Sequence, residues 1–317
     1  MISGEFRVID DEDAIRNLTI EDAIAGVEEG FRLAGMGLAY SGGRTLVRVD
    51  NGTFHIVSGG LRYADPPLVV TKVNGRFDRT HLGGVESTVR GVMLVSSGED
   101  GRPLALIGSA RLTVLRTAAV AAVASKYLAP RDASVLLVIG TGRVARAATV
   151  AIHHVQAIQR VIVSGRDPRK RQRLARSLRE AGLRVKTVAH VADGLAEADI
   201  VVTATASTSP WFQAVDVRPG TTILALGSDA PGKQELPPEI LAHAGVVTDS
   251  TAQCLLVGEL GHAVRANLLA VEKVRAELGA IVAGQARGRM SNEENIVFDS
   301  TGTAIADAAM ARAVLRN

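Results

Sequence analysis

A chain of 317 residues with 47% hydrophobic composition is long enough for about two packed cores, so two domains are expected. Charged residues make up 22% and the net charge is only +3, which leaves no single-signed block of the kind that marks a disordered tail. The basic excess, with an isoelectric point near 9.2, suits a small anionic ligand; nucleic acid is not expected, because aromatics for base stacking are 3% of the chain.

The opening MISGEFRVIDDED is acidic where a secretory leader is basic and then apolar, and no later run is long enough to span a bilayer. A cytoplasmic protein without a membrane partner is expected. Behind Thr19, an N-cap residue, Ile20, Ala23, Ile24, Val27, Phe31 and Leu33 recur at helical spacing. From 44 to 73 come short β-branched stretches, TLVRV, TFHIV and LVVTKV, broken by Gly, Asn and Pro; GVMLVSS follows and ends at the turn GEDGRP. This first part reads as a mixed α+β domain, 1–112. Ala-rich TVLRTAAVAAVASKYLA, 113 to 129, is a helix ending before Pro130. Beyond it, SVLLVIG (134–140), a helix after Gly142, RVIVSG (160–165), a helix over 168–181 and strands near 184, 199, 221 and 245 alternate as right-handed βαβ units. The expected fold class is therefore α/β, with a Rossmann-type doubly wound parallel sheet over 113–298. Cys254, the lone cysteine, has no disulfide or zinc partner in sequence, no metal-ligand spacing occurs elsewhere, and Trp211 after Pro210 reads as packing.

GTGRVA, 140–145, follows a predicted strand and opens a predicted helix. Gly140 makes the tight turn and Gly142 admits a pyrophosphate. Arg143 and Val144 begin the helix whose N-terminus faces the phosphates, and Ala145 lets helix and strand touch. Where an NAD enzyme carries an acid for the ribose hydroxyls, the second strand ends in Ser164, Gly165 and Arg166. A small residue followed by Arg suits a 2′-phosphate, so NADPH is the preferred cofactor and NAD(H) the alternative; Asp167, one position on, leaves that choice open. The basic run from Arg169 to Arg176 also reads as a solvated helix face.

Three motifs together resemble the ornithine cyclodeaminase and mu-crystallin family: LTVLRTAAVAAVASKYLAP around Arg116, GSDAPGKQEL at 227–236 and VFDSTGTAIAD at 297–307. The resemblance implies a homodimer paired through the first domain, which carries the substrate groups and is completed by the segment 299–317. It also implies that Arg48, Lys72 and Arg116 hold the substrate carboxylate, with Thr301 and His55 in the substrate set and Lys72 in the chemistry. Thr88, Thr205, Lys233, Ser300 and Arg116 line the dinucleotide, and Asp229 is the acid beside the reacting carbon and nitrogen.

The residues carry part of this chemistry unaided. Arg116 is a lone cation in an otherwise uncharged stretch from Leu112 to Ser125, where a charge calls for an anion. Lys72 interrupts an apolar strand, though alternation could equally point it to water. Asp229 follows TTILALG at the carboxyl edge of the parallel sheet, where ligands bind; a turn residue is the other reading. His55 stands where the ornithine-cyclising members have an acid for the distal ammonium, and no acid occurs from Gly52 to Ala64. An ω-ammonium would go unpaired there. Cyclodeaminases also recycle a held NAD, a scheme that gains nothing from NADPH. The expected activity is reduction of a small α-imino carboxylate, such as 1-pyrroline-2-carboxylate or 1-piperideine-2-carboxylate. The alternatives are an ammonia-releasing cyclodeaminase, an alanine- or aspartate-type amino-acid dehydrogenase, and a non-catalytic NADPH-binding protein.

Overall fold

The computed structural model describes residues 5–40, 42–63, 66–77 and 88–316, Thr88 by its backbone alone. The chain forms two compact units, one of residues 1–116 with 303–317 and one of residues 117–302. The division falls inside one continuous helix.

The first unit runs β1 (Arg7–Ile9), α1 (Asp13–Arg16), α2 (Ile20–Gly35), β2 (Ala39–Tyr40), β3 (Arg44–Val49), β4 (Gly52–Leu61), β5 (Leu68–Phe77), β6 (Thr88–Ser97), β7 (Pro103–Gly108) and the start of α3 (Ala110–Leu128). Thr19 begins α2 with a capping box: its hydroxyl accepts from the Asp22 amide, and the Asp22 carboxylate accepts from the Thr19 amide. The sheet order is β1-β7-β6-β5-β4-β2, with β3 also on β4. The sheet is mixed, because β1 pairs parallel to β7 while the central strands are antiparallel.

Residues directly opposite across a ladder share a face. Arg44, Val57, Lys72 and Met93 thus form one cross-strand row, and Leu46, His55 and Asn74 the next. Leu68, Val70, Lys72 and Asn74 on this face are buried, because α2 and α11 (Ala304–Arg316) pack over it. The two helices approach closely at Gly30, where a Cβ would lie 3.2 Å from that of Ala309. The opposite face carries Val47, Val92 and Leu94, each exposed by about two fifths.

The second unit contains β8 (Val135–Ile139), α4 (Arg143–Val155), β9 (Arg160–Ser164), α5 (Pro168–Glu180), β10 (Val185–Thr187), α6 (Val191–Leu195), β11 (Ile200–Thr203), β12 (Thr222–Ala225), α7 (Glu239–His243), β13 (Gly245–Thr248), α8 (Thr251–Val257), α9 (Glu259–Arg265), β14 (Ala276–Glu277), α10 (Leu278–Val282) and β15 (Ile296–Asp299). All of its pairings are parallel, in the order β10-β9-β8-β11-β12-β15-β13-β14. This is the doubly wound sheet that the alternation predicts, with one addition. β15 inserts between β12 and β13, so VFD of the third motif ends at the carboxyl edge of the sheet. The central strands are wholly buried, as their unbroken apolar runs require.

Candidate active site

The glycine turn of the second unit has the shape that a dinucleotide needs. Gly140 takes φ +127°, and a Cβ there would lie 2.5 Å from the Ala204 carbonyl, so only glycine fits. Gly142 is exposed, and a Cβ on it would meet nothing within 4 Å. It caps α4 without any side-chain hydrogen bond, whereas the first turn of α5 is capped by Asp167. The leading amides of α4, including those of Arg143 and Val144, are thus left without a side-chain cap, in the arrangement that receives a pyrophosphate.

Asp167 is the N-cap of α5, its Oδ1 accepting from the Arg169 and Lys170 amides at 2.8 and 3.2 Å. Those bonds hold its carboxyl below the ordinary range. Arg166 is exposed and its guanidinium carbon stands 5.8 Å from the centre of the Trp211 ring. Trp211 therefore does more than pack: its indole N–H also donates to the Thr205 hydroxyl at 3.1 Å.

Along the carboxyl edge, buried carboxylates tie the strand ends together. Glu235 accepts from the Thr203 hydroxyl at 2.7 Å, the Thr205 amide at 2.6 Å and the Gly227 amide at 2.8 Å, bracing the loops after β11 and β12. Glu259 accepts from the Glu235 amide at 2.7 Å, and Asp299 from the Leu260 amide at 2.8 Å. Asp249 accepts from the Ser300 hydroxyl at 2.9 Å and the Gly302 amide at 2.7 Å, with the Thr301 hydroxyl at 3.4 Å. Ser300 and Thr301 thus both turn to Asp249. Asp229, its side chain 41% exposed, pairs with Lys233, whose ammonium also donates to the Gly227 carbonyl at 3.0 Å. The two residues expected to serve acid chemistry and the dinucleotide are therefore joined to each other.

In the first unit, Lys72 is 4% exposed and donates to Asp307 of α11 at 2.5 Å. Arg116 lies 3.3 Å from the other oxygen of the same carboxylate. Two cations from a strand and a helix converge on one buried acid. Burial pushes the Lys72 ammonium down to about 8; Asp307 opposes that, and Arg116 and Arg44 add to it. Arg44, not Arg48, is the strand arginine beside Lys72. Arg48 is exposed and lies in the row of Thr53 and Arg76, four positions along the same face. Arg44 also meets His55 at 3.0 Å; a guanidinium can only donate, so the His55 Nδ1 is the acceptor and its proton sits on Nε2. Behind this pair, Asn74 accepts from Ser109 at 2.5 Å and donates to Thr113 at 3.1 Å. The Thr88 side chain is outside the described residues.

Asp307, Arg44 and Glu235 did not emerge from the sequence as site residues. The signal for Asp307 was there: a lone acid inside AIADAAM is as conspicuous as Arg116 in its own apolar helix. Among the described residues no cluster of His, Cys, Asp and Glu could hold a metal ion, and no helix is long and apolar enough to cross a membrane.

The chain is similar to proteins of known activity. Iminosuccinate reductase of Paracoccus denitrificans is 42% identical over 217 residues, 68% of this chain and 67% of that protein. The structure of an archaeal alanine dehydrogenase dimer with bound NAD superposes with a TM-score of 0.92 at 31% identity, covering 98% of this chain and 95% of that one. That of Thermococcus litoralis Δ1-pyrroline-2-carboxylate reductase, in complex with NADH and L-proline, gives 0.91 at 28% identity over 98% and 96%. Residues 7–317 match the ornithine cyclodeaminase/mu-crystallin family, and the chain belongs to that family.

Proposed function

We infer that the protein is a nicotinamide-dependent reductase of small α-imino carboxylates, preferring NADPH, with cyclic ketimines such as 1-pyrroline-2-carboxylate or 1-piperideine-2-carboxylate as its substrates. The observation that carries this reading is the convergence of two cations, buried Lys72 and half-buried Arg116, on the single buried carboxylate of Asp307. Two positive charges facing one negative leave a site suited to one more carboxylate. Arg116 and Arg44 supply donor forks for that group, and Lys72 a point charge that also polarises an imine. A bound nicotinamide supplies the hydride. Asp229, held by Lys233, exchanges a proton with the substrate nitrogen, while Glu235 fixes the loop that bears it. The missing ribose acid, the capping role of Asp167 and the position of Arg166 support NADPH over NADH.

A second reading differs in substrate alone. Likeness to the iminosuccinate reductase and the alanine dehydrogenase supports an acyclic imine, formed from a 2-oxo acid and ammonia. One assay separates the two. Purified protein is given NADPH or NADH with the two cyclic imines, and with oxaloacetate or pyruvate plus ammonia, and kcat/KM is compared. The cyclic imines should lead, and Asp229→Asn should lower kcat by about a hundredfold with cofactor affinity little changed. Ammonia release from ornithine at a comparable rate would put the cyclodeaminase reading in their place.

We further infer a homodimer joined through the outer face of the first unit's sheet, where Val47, Val92 and Leu94 are exposed. The dimeric alanine dehydrogenase supports this.

A further inference from the structure

The end of β9 carries more than the Ser164, Gly165, Arg166 signature shows. A Cβ on Gly165 would lie 2.9 Å from the Thr141 side chain of the glycine turn and 3.7 Å from Cγ of Arg171, so the stem of Arg171 runs against the strand end beside that turn. Its Nη1 donates to the Gly165 carbonyl at 2.5 Å, and its Nε is buried with no hydrogen-bond partner among the described residues. A guanidinium has five N–H donors, so one bond to a carbonyl fixes the group and leaves much of its capacity unused. Ser164, 1% exposed, likewise keeps a buried hydroxyl with no partner among the described residues. Neighbouring Arg166 is steadied over Trp211, which is itself held by the Thr205 hydroxyl.

We propose that Arg171 is a second phosphate-binding cation and that Trp211 is a positioning residue for Arg166, so that two pre-set guanidinium groups grip the 2′-phosphate of an NADP-type cofactor. The proposal rests on the NADPH reading above and deepens it. A phosphomonoester carries nearly two negative charges at neutral pH and three acceptor oxygens, more than one exposed arginine satisfies. Anchoring both guanidinium groups before the ligand arrives reduces the ordering cost of binding. Toward a ribose hydroxyl the same two cations gain little. In this arrangement the discrimination between cofactors comes from Arg171 as much as from Arg166, although Arg171 lies within a run of basic residues that otherwise looks like a solvated helix face.

Dissociation constants of the full-length protein for NADPH, NADH, 2′,5′-ADP and 5′-AMP, measured by calorimetry, test this. Arg171→Gln and Arg166→Gln should each weaken NADPH and 2′,5′-ADP by about tenfold or more, leaving NADH and 5′-AMP within about twofold. Trp211→Leu should follow Arg166→Gln, and Trp211→Phe, which keeps an aromatic face, should recover most of the loss. Unchanged NADPH affinity in Arg171→Gln overturns the clamp, as does an equal loss for NADPH and NADH, which would mark a merely structural arginine. If the wild-type protein binds NADH as well as NADPH, the cofactor reading falls and the clamp with it. A wild-type preference for NADPH that survives Arg171→Gln removes the clamp alone.

Discussion

Burial pushes the Lys72 ammonium down to about 8 while Asp307 pulls it upward. The charged form is the one that serves a substrate carboxylate, so kcat/KM should fall as pH rises through about 8. Asp307→Asn removes the group that favours the charge, so the alkaline limb should move to lower pH. It also leaves the buried Lys72 without its acid, at a cost on the order of 3 kcal/mol in denaturant stability. A limb that stays in place in this variant would detach Lys72 from the reaction. Arg116 was legible because a lone cation in an apolar helix is conspicuous. Arg44 was not singled out: the resemblance points to Arg48, and the two arginines share a strand face, so alternation does not separate them. The choice is made by pairing: Arg44 is opposite Val57, and Val57 opposite Lys72. That register depends on the whole sheet rather than on the local stretch.

Among the elements, the strand ends and short helices at the carboxyl edge are joined by buried acids. Burial raises Glu259 to about 9 from its ordinary 4.5 and Asp299 to about 7 from 3.8, with neighbouring carboxylates adding to both shifts. Glu235 is raised by burial as well. A carboxyl that holds its proton more tightly when folded stabilises fully below its unfolded value, and that contribution is lost as pH rises through the folded value. The unfolding midpoint should therefore fall between pH 6 and pH 9, and Glu259→Gln should flatten the slope. A midpoint that climbs over this interval would show these groups already ionised in the fold. Strand and helix periods exposed the parallel sheet readily, yet they gave no hint of this network. Glu235, Glu259 and Asp299 come from three separated segments and meet only once the sheet is assembled.

For the molecule as a whole, the outer sheet face makes a definite demand. Leu94 and Val92 lie on it, and Leu94→Glu would set a charge into any partner surface there. Sedimentation should show wild-type dimers and variant monomers; a dimeric variant would direct attention to another face. The family and both fold classes could be read from motifs and alternation, whereas the outer face could not, since Val92 and Leu94 alternate with buried Met93 and Val95 as in any half-buried strand.

The first unit is built from two stretches of chain separated by residues 117–302, and its buried acid comes from the second stretch. During synthesis, the strands bearing Arg44 and Lys72 therefore emerge long before the helix that covers them. α2 precedes these strands, but the share of their apolar face that α11 covers stays open until the entire dinucleotide unit has left the ribosome, so completion runs against the usual order, in which the earlier domain finishes first. Released chains truncated before residue 303 should yield a protease-resistant core from residues 117–302 and a readily digested first hundred residues. Equal resistance in both parts would show that the early strands close without α11. Until that helix docks, the nascent chain exposes a face that a holding chaperone could cover.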